Sequence, residues 1–300
     1  MDRTQYKCCR RGANLRRKRR RHRKIRHSVI FSCSIIAVAV FVIVGSRIIT
    51  SGDGGINKYD VEAGNDTYDN ADIENTKIFE KNKIQNNQSM LEDIMNSTQY
   101  PKQLQELALK NEEALEFVYD YPTEHVREHT IDLTEEASMD SVPLFVQWDK
   151  RWGYEKYSGN FFAASGCGPT TLSMVVVYLT HNRDASPLAV AKYSKEAGYS
   201  VDGSGSSWTL ISEGCRHYGV KAKTVALDES RMKAELDAGH PIVVNVGPGD
   251  FTDTGHFMVI TGYDDEGFSI NDPNSIEKSG KRWLFKNISS QIRAVWSMYV

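Results

Sequence analysis

Cys167 lies in the run Ser165-Gly166-Cys167-Gly168-Pro169, a turn of small residues that opens into the apolar stretch Thr170 to Leu179. Pro169 suits a first helical turn, where a fixed φ and a missing N–H cost nothing. A run this apolar and this short, with no polar face, predicts a helix buried on all sides in the centre of a domain. Its N-terminus offers free backbone N–H groups and the positive end of the helix dipole, the setting that lowers a thiol pKa toward neutrality. A cysteine in that position is a candidate nucleophile. The competing reading is a glycine turn that happens to carry a cysteine.

A thiol that attacks an amide needs a base beside it, a group that orients the base, and donors for the oxyanion. His125, His129, His181, His217 and His240 stand in polar or helix-end contexts. His256 follows a glycine and opens the apolar run Phe257-Met258-Val259-Ile260, which puts its imidazole at a rigid strand end. Asp264-Asp265-Glu266-Gly267 separates that run from Phe268 to Asp272 and reads as a hairpin turn. With a tight turn, residues whose numbers sum to about 528 face one another, so Asp272 falls opposite His256 on one face. Opposed side chains about 5 Å apart let a carboxylate hold one ring nitrogen while the other faces the thiol. Pro273 keeps Asp272 extended. Asn271-Asp272-Pro273-Asn274 is also good turn sequence, so a turn role competes for Asp272, with Asn245 or Asn271 next in line to orient His256.

These residues need a domain to hold them, and residues 141–300 supply about 160 residues, an ordinary single-domain size. Ser186-Pro187 starts a helix that ends at Gly198, and a further helix runs from about Ser207 to Tyr218 and stops at Gly219. Asp228 caps a helix ending at Gly239, and Pro241 precedes the strand Ile242 to Val246. Helices first and antiparallel strands second is an α+β pattern. Gly203-Ser-Gly-Ser-Ser207 lacks the Gly-Lys-Ser/Thr ending of a phosphate loop, which argues against a nucleotide. No paired Cys or His spacing of the zinc type occurs, so neither metal nor cofactor is expected. A Cys167–Cys215 disulfide is the remaining competitor for the thiol.

The formal net charge of −2 over 300 residues conceals an asymmetry, because positive charge crowds the stretch from Arg10 to Arg26. Such a block can serve nucleic-acid binding or act as a localisation signal, but the uncharged apolar run from Ser28 to Ser46 decides against both. Residues 1–27 read as a basic cytoplasmic tail that meets anionic lipid, and 28–50 as a transmembrane helix. The rest is then expected outside the cell membrane. Val44-Gly45-Ser46 resembles a cleavage site, so a removed signal peptide is the alternative to an anchor. Residues 51–89 are polar and without period, the composition of a flexible linker. Residues 90–140 form a helical extension, with Leu104, Leu107, Ala108, Asn111, Leu115 and Val118 at helical spacing predicting one amphipathic helix from Pro101 to Tyr121.

From Val142 to the C-terminus the chain resembles the C39-like peptidases, papain-like cysteine peptidases common at the surface of Gram-positive bacteria. The resemblance lies in Val-Pro-Leu-Phe-Val-Gln-Trp-Asp-Lys-Arg-Trp, Gly-Cys-Gly-Pro-Thr, Gly-His-Phe-Met-Val-Ile-Thr-Gly-Tyr and Asn-Asp-Pro. It implies a papain-like fold, with the cysteine helix packed on an antiparallel sheet. By the same resemblance Cys167 is the nucleophile, His256 the general base and acid, Asp272 the orienting group and Gln147 the oxyanion glutamine. A peptide or protein substrate follows, hydrolysed at an amide bond. Peptidoglycan stem peptides are a further substrate class, and an inactive peptide-binding module is the alternative to an enzyme.

Overall fold

The computed structural model describes the backbone of residues 70–300 and the side chains from 78 onward. The basic tail at 1–27, the transmembrane helix at 28–50 and the linker up to 69 lie outside the described residues. Among the described residues, no helix is long and apolar enough to cross a membrane.

An antiparallel sheet is built from β1 (Lys221–Thr224), β2 (Ile242–Val246), β3 (His256–Asp264), β4 (Gly267–Asn271), β5 (Arg282–Trp283) and β6 (Ile292–Tyr299). Its spatial order is β1-β6-β2-β3-β4-β5. β2 lies inside the sheet and is buried at every residue, which explains its apolar sequence broken only by Asn245. Val243, Phe257, Val259, Trp296 and Met298 face a core shared with the helices that precede the sheet. Val244, Val246, Met258, Ile260 and Ile270 face a second core on the other side, closed by Met232.

The helices used below are α1 (Asn70–Asn96), α2 (Lys102–Lys110), α3 (Leu115–Tyr119), α4 (Cys167–Thr180), α5 (Pro187–Glu196) and α6 (Glu229–Asp237). α4 is the buried central helix that its composition predicts, with every residue from Gly168 to Val177 buried. Leu172, Met174, Val175, Val176 and Val177 are wholly inaccessible, and each such burial is worth about 1.5–3 kcal/mol. The helix begins at Cys167, two residues before Pro169. Proline remains harmless there because the first-turn N–H groups have no intrahelical partner. The α+β pattern holds, with α1 to α5 before the sheet and α6 between β1 and β2.

Three expectations change. Residues 70–89, expected as flexible linker, belong to α1. The segment contains neither proline nor glycine, and its C-terminal turns gain a partner: Met90, Leu91 and Ile94 pack with Leu104, Leu107 and Phe117. The single helix from Pro101 to Tyr121 is broken at Asn111, whose φ of −137° leaves the helical region. Its side chain accepts from the Glu113 N–H instead, starting a 3₁₀ turn before α3. The helix expected over Ser207 to Tyr218 breaks at Glu213, and a 3₁₀ turn then carries Cys215 into the core.

Candidate active site

Cys167 is the first residue of α4 and has a free, partly exposed thiol. No side chain caps this helix end, so its first-turn N–H groups stay open to a negative charge. Glycine at 168 permits close approach of the Gly203–Ser206 loop, since a Cβ there would lie 2.5 Å from Ser206 Oγ. Thr171 Oγ donates to the Phe257 carbonyl at 3.1 Å. That bond ties the first turn of the cysteine helix to the strand residue next to His256. Cys215 is also free and fully buried, so the two thiols are not joined in a disulfide.

His256 opens β3 opposite Val246 of β2, and Asn245 Nδ2 donates to its carbonyl oxygen at 3.1 Å. The ring Nε2 donates to Asp272 Oδ1 at 2.7 Å, and both side chains are buried. The other ring nitrogen is left for the thiol, and the Cys167–His256 interaction perturbs both groups. This pairing does not come from direct opposition. The hairpin pairs Asp264 with Gly267, but the register shifts between Ile260 and Gly262, leaving Thr261 as an extra residue in β3. Beyond that bulge Val259 faces Asn271, so the same register carried one residue on sets Asp272 against Met258, not His256. Asp272 therefore reaches His256 on the diagonal. The bulge matters, because without the extra residue Asp272 would fall on the opposite face of the sheet.

Asp272 is also a turn residue. Its Oδ1 accepts the Asn274 N–H at 2.8 Å, and its carbonyl accepts the Ser275 N–H at 3.2 Å. The two roles weighed against each other in the sequence are both filled by one carboxylate. Asp272 Oδ2 has no hydrogen-bond partner, and among the described residues no lysine or arginine pairs with this carboxylate. Asn245 and Asn271 are engaged elsewhere; Asn271 Nδ2 donates to the carbonyls of Val142 and Pro143.

Opposing effects set the titration of the pair. Burial raises the Cys167 pKa, but hydrogen bonding and charge from His256, with backbone N–H groups of Phe257 and Gly168, outweigh it and hold the thiol below its ordinary value. Burial lowers the His256 pKa, and the Asp272 charge and hydrogen bond, with Cys167, overturn that and raise it above the usual imidazole range. A thiol driven down beside an imidazole driven up is the electrostatic setting that favours a thiolate–imidazolium pair. Cys215 shows the contrast: burial pushes it up to about 11.

Gln147 is buried, and its Nε2 donates to the Ala163 carbonyl at 2.7 Å, leaving a second amide hydrogen. It lines the same cavity as Cys167 and His256. That cavity, about 440 Å³, meets another of about 670 Å³ at Cys167. The thiol thus sits between two open arms, one bounded by Leu107 and Phe251, the other by Trp208 and Arg293. A larger cavity of about 880 Å³ lies between α1 and residues 112–120, but no histidine or cysteine lines it. The other five described histidines are held locally or lie outside, as with His181 on the Ala137 carbonyl and His217 stacked on Tyr193. Sequence reasoning brings out Cys167, His256, Asp272 and Gln147, and the structure gathers all of them. It misses Asn111, Glu113 and Asn274, whose contacts span more than 120 residues of chain and leave no local pattern.

The family described as Peptidase_C39 like family matches residues 139–300. Among solved structures, the peptidase domain of Streptococcus ComA, a bi-functional ABC transporter involved in a quorum sensing pathway, is 18% identical with a TM-score of 0.39. The alignment covers 53% of this chain and 96% of that one. A putative C39-like peptidase from Bacillus anthracis is 16% identical with a TM-score of 0.34, over 53% of this chain and 95% of that one. No curated protein matches the chain.

Proposed function

We propose, from the premise that this chain belongs to the Peptidase_C39 like family, that it hydrolyses amide bonds in peptides or proteins through the Cys167 thiolate. One observation carries the reading: His256 Nε2 donates to Asp272 Oδ1 at 2.7 Å while the same ring acts on a thiol at the N-terminus of α4. The thiolate attacks the carbonyl carbon and forms a C–S bond as the π electrons move to oxygen. The Cys167 backbone N–H and Gln147 Nε2 hold that oxyanion. Collapse expels the amine, which takes its proton from the His256 imidazolium. His256, now neutral, removes a proton from water, and the hydroxide attacks the thioester to release the acid and restore the pair. Asp272 keeps the ring oriented and stabilises its charged form in both halves.

The paired arms on either side of Cys167 favour a chain that passes over the thiol rather than one that ends there. The basic tail and the apolar run after it support a location of this domain outside the cell membrane, with residues 1–27 in the cytoplasm. The deciding experiment offers the full chain a library of fluorogenic peptidyl amides and compares Cys167→Ala. Hydrolysis that vanishes with the thiol supports the reading, whereas no hydrolysis across a broad library, with the thiol intact and ionised, overturns it.

A further inference from the structure

Asn111 spends its side chain in two directions. Oδ1 accepts the Glu113 N–H at 3.0 Å, and Nδ2 donates to the Asn274 carbonyl at 2.9 Å and to Asn274 Oδ1 at 3.1 Å. The helix break at Asn111 turns Glu113 toward the same place. Its carboxylate accepts from Ser275 Oγ, from the Ile276 N–H at 2.7 Å and from the Glu277 N–H at 3.1 Å. Both residues thus converge on the chain just after Asp272. This stretch is where the candidate site is assembled. Asn274 N–H donates to the same Asp272 oxygen that holds His256, and the Pro273 carbonyl accepts the Gln147 N–H at 2.7 Å. Trp148 Nε1 adds a bond to the Asn274 carbonyl at 3.2 Å.

The same extension reaches the nucleophile's side of the cleft. Leu104, Leu107 and Phe117 share a core with Phe161 and Ala163, which immediately precede the Cys167 turn and supply the carbonyl that holds Gln147. Leu107 and Lys110 of α2 line the cavity that contains Cys167 and His256. Residues 90–138 nonetheless lie before the region matched by the family.

We infer that this N-terminal extension is a working part of the site: Asn111 and Glu113 are positioning residues that clamp the Asp272–Ser275 turn. Through it they set Asp272 against His256 and Gln147 beside the thiol. The catalytic meaning of the clamp rests on the peptidase reading, but its effect on the thiol does not. A loosened turn lets Asp272 drift from His256, the imidazolium loses part of its stabilisation, and the thiolate loses its partner.

The test uses the full chain with Asn111→Asp, Glu113→Gln and, as control, Glu112→Ala, whose side chain among the described residues accepts only from Asn87 Nδ2. Aspartate caps a helical turn as well as asparagine but cannot donate to Asn274, so Asn111→Asp separates local capping from the clamp. Each variant is checked for folding by thermal melting, and Cys167 is alkylated with iodoacetamide as a function of pH, read by mass spectrometry. Asn111→Asp and Glu113→Gln are expected to raise the alkylation midpoint and slow the reaction at pH 7 by roughly 3- to 10-fold, with Glu112→Ala unchanged. A wild-type midpoint in both folded clamp variants overturns the proposal, whatever hydrolysis does. A midpoint that shifts in protein that hydrolyses no peptidyl amide supports the clamp and overturns only the peptidase reading.

Discussion

The backbone N–H of Gln147 donates to the carbonyl oxygen of Pro273 at 2.7 Å, so the glutamine beside the thiol and the aspartate behind the histidine hang on one turn. Gln147 and Asp272 are therefore coupled through this turn. Disturbance of that turn should reach both, and the predictions below separate their contributions.

The thiol and imidazole shifts fix the pH window. Isolated groups would ionise in the wrong order, the imidazole losing its proton near 6.5 before the thiol near 8.5. Here the thiol is shifted down and the imidazole up, and both shifts favour the ion pair. Activity should rise as pH passes upward through the depressed thiol value and fall as it passes through the elevated imidazolium value. Both limbs belong to the coupled pair and not to either residue alone. Cys167 should alkylate at lower pH than an ordinary thiol and Cys215 far more slowly, because burial raises the latter to about 11. Equal alkylation rates at the two cysteines would sink this account.

Asp272→Asn should lower turnover by about 10- to 10³-fold, less than the roughly 10⁴ of a serine triad, because a nucleophile resting as the proposed thiolate depends less on the third residue. The amide can still accept from Asn274, so the turn survives, but the negative charge facing the imidazolium is lost. The substitution also replaces an unpartnered acceptor, Oδ2, by an unpartnered donor. The descending pH limb should move down and the thiol midpoint up. A folded variant with wild-type turnover and an unmoved pH profile removes Asp272 from the mechanism.

Gln147→Ala should reduce turnover by roughly 10²- to 10³-fold if its amide stabilises the oxyanion. Its backbone bond to Pro273 is kept, so Asp272 stays in place and the alkylation midpoint should not shift. A loss of turnover without a shift of the alkylation midpoint supports the role. A midpoint shift as large as that of Asp272→Asn would instead show that the side chain acts by holding the turn.

External protease added to intact protoplasts should release the domain, cutting between residue 51 and the start of α1 at Asn70. Full protection until lysis would refute an external domain. A soluble form that begins after Ser46 would show that the apolar run is cleaved rather than retained.

Much of the site was written locally. Gly166-Cys167-Gly168-Pro169 before an apolar run determines a buried helix with a cysteine at its N-terminus, because helix starts and buried faces are short-range features. Gly255-His256 before Phe257 to Ile260 likewise determines a strand that opens on the imidazole. Asp272 was picked out through a register that the structure corrects. Residue types do not mark which position of β3 will bulge, and the extra residue at Thr261 fixes which face Asp272 occupies. Only tertiary structure decided the rest. Asn111 falls at helical spacing within the stripe from Leu104 to Val118, yet its side chain satisfies Asn274, 163 residues away. A helix continues or breaks according to whether a better partner exists elsewhere, and the sequence near Asn111 does not contain that partner. The same holds for α1, where a polar segment without proline or glycine stayed helical because Ile94 found a core to enter.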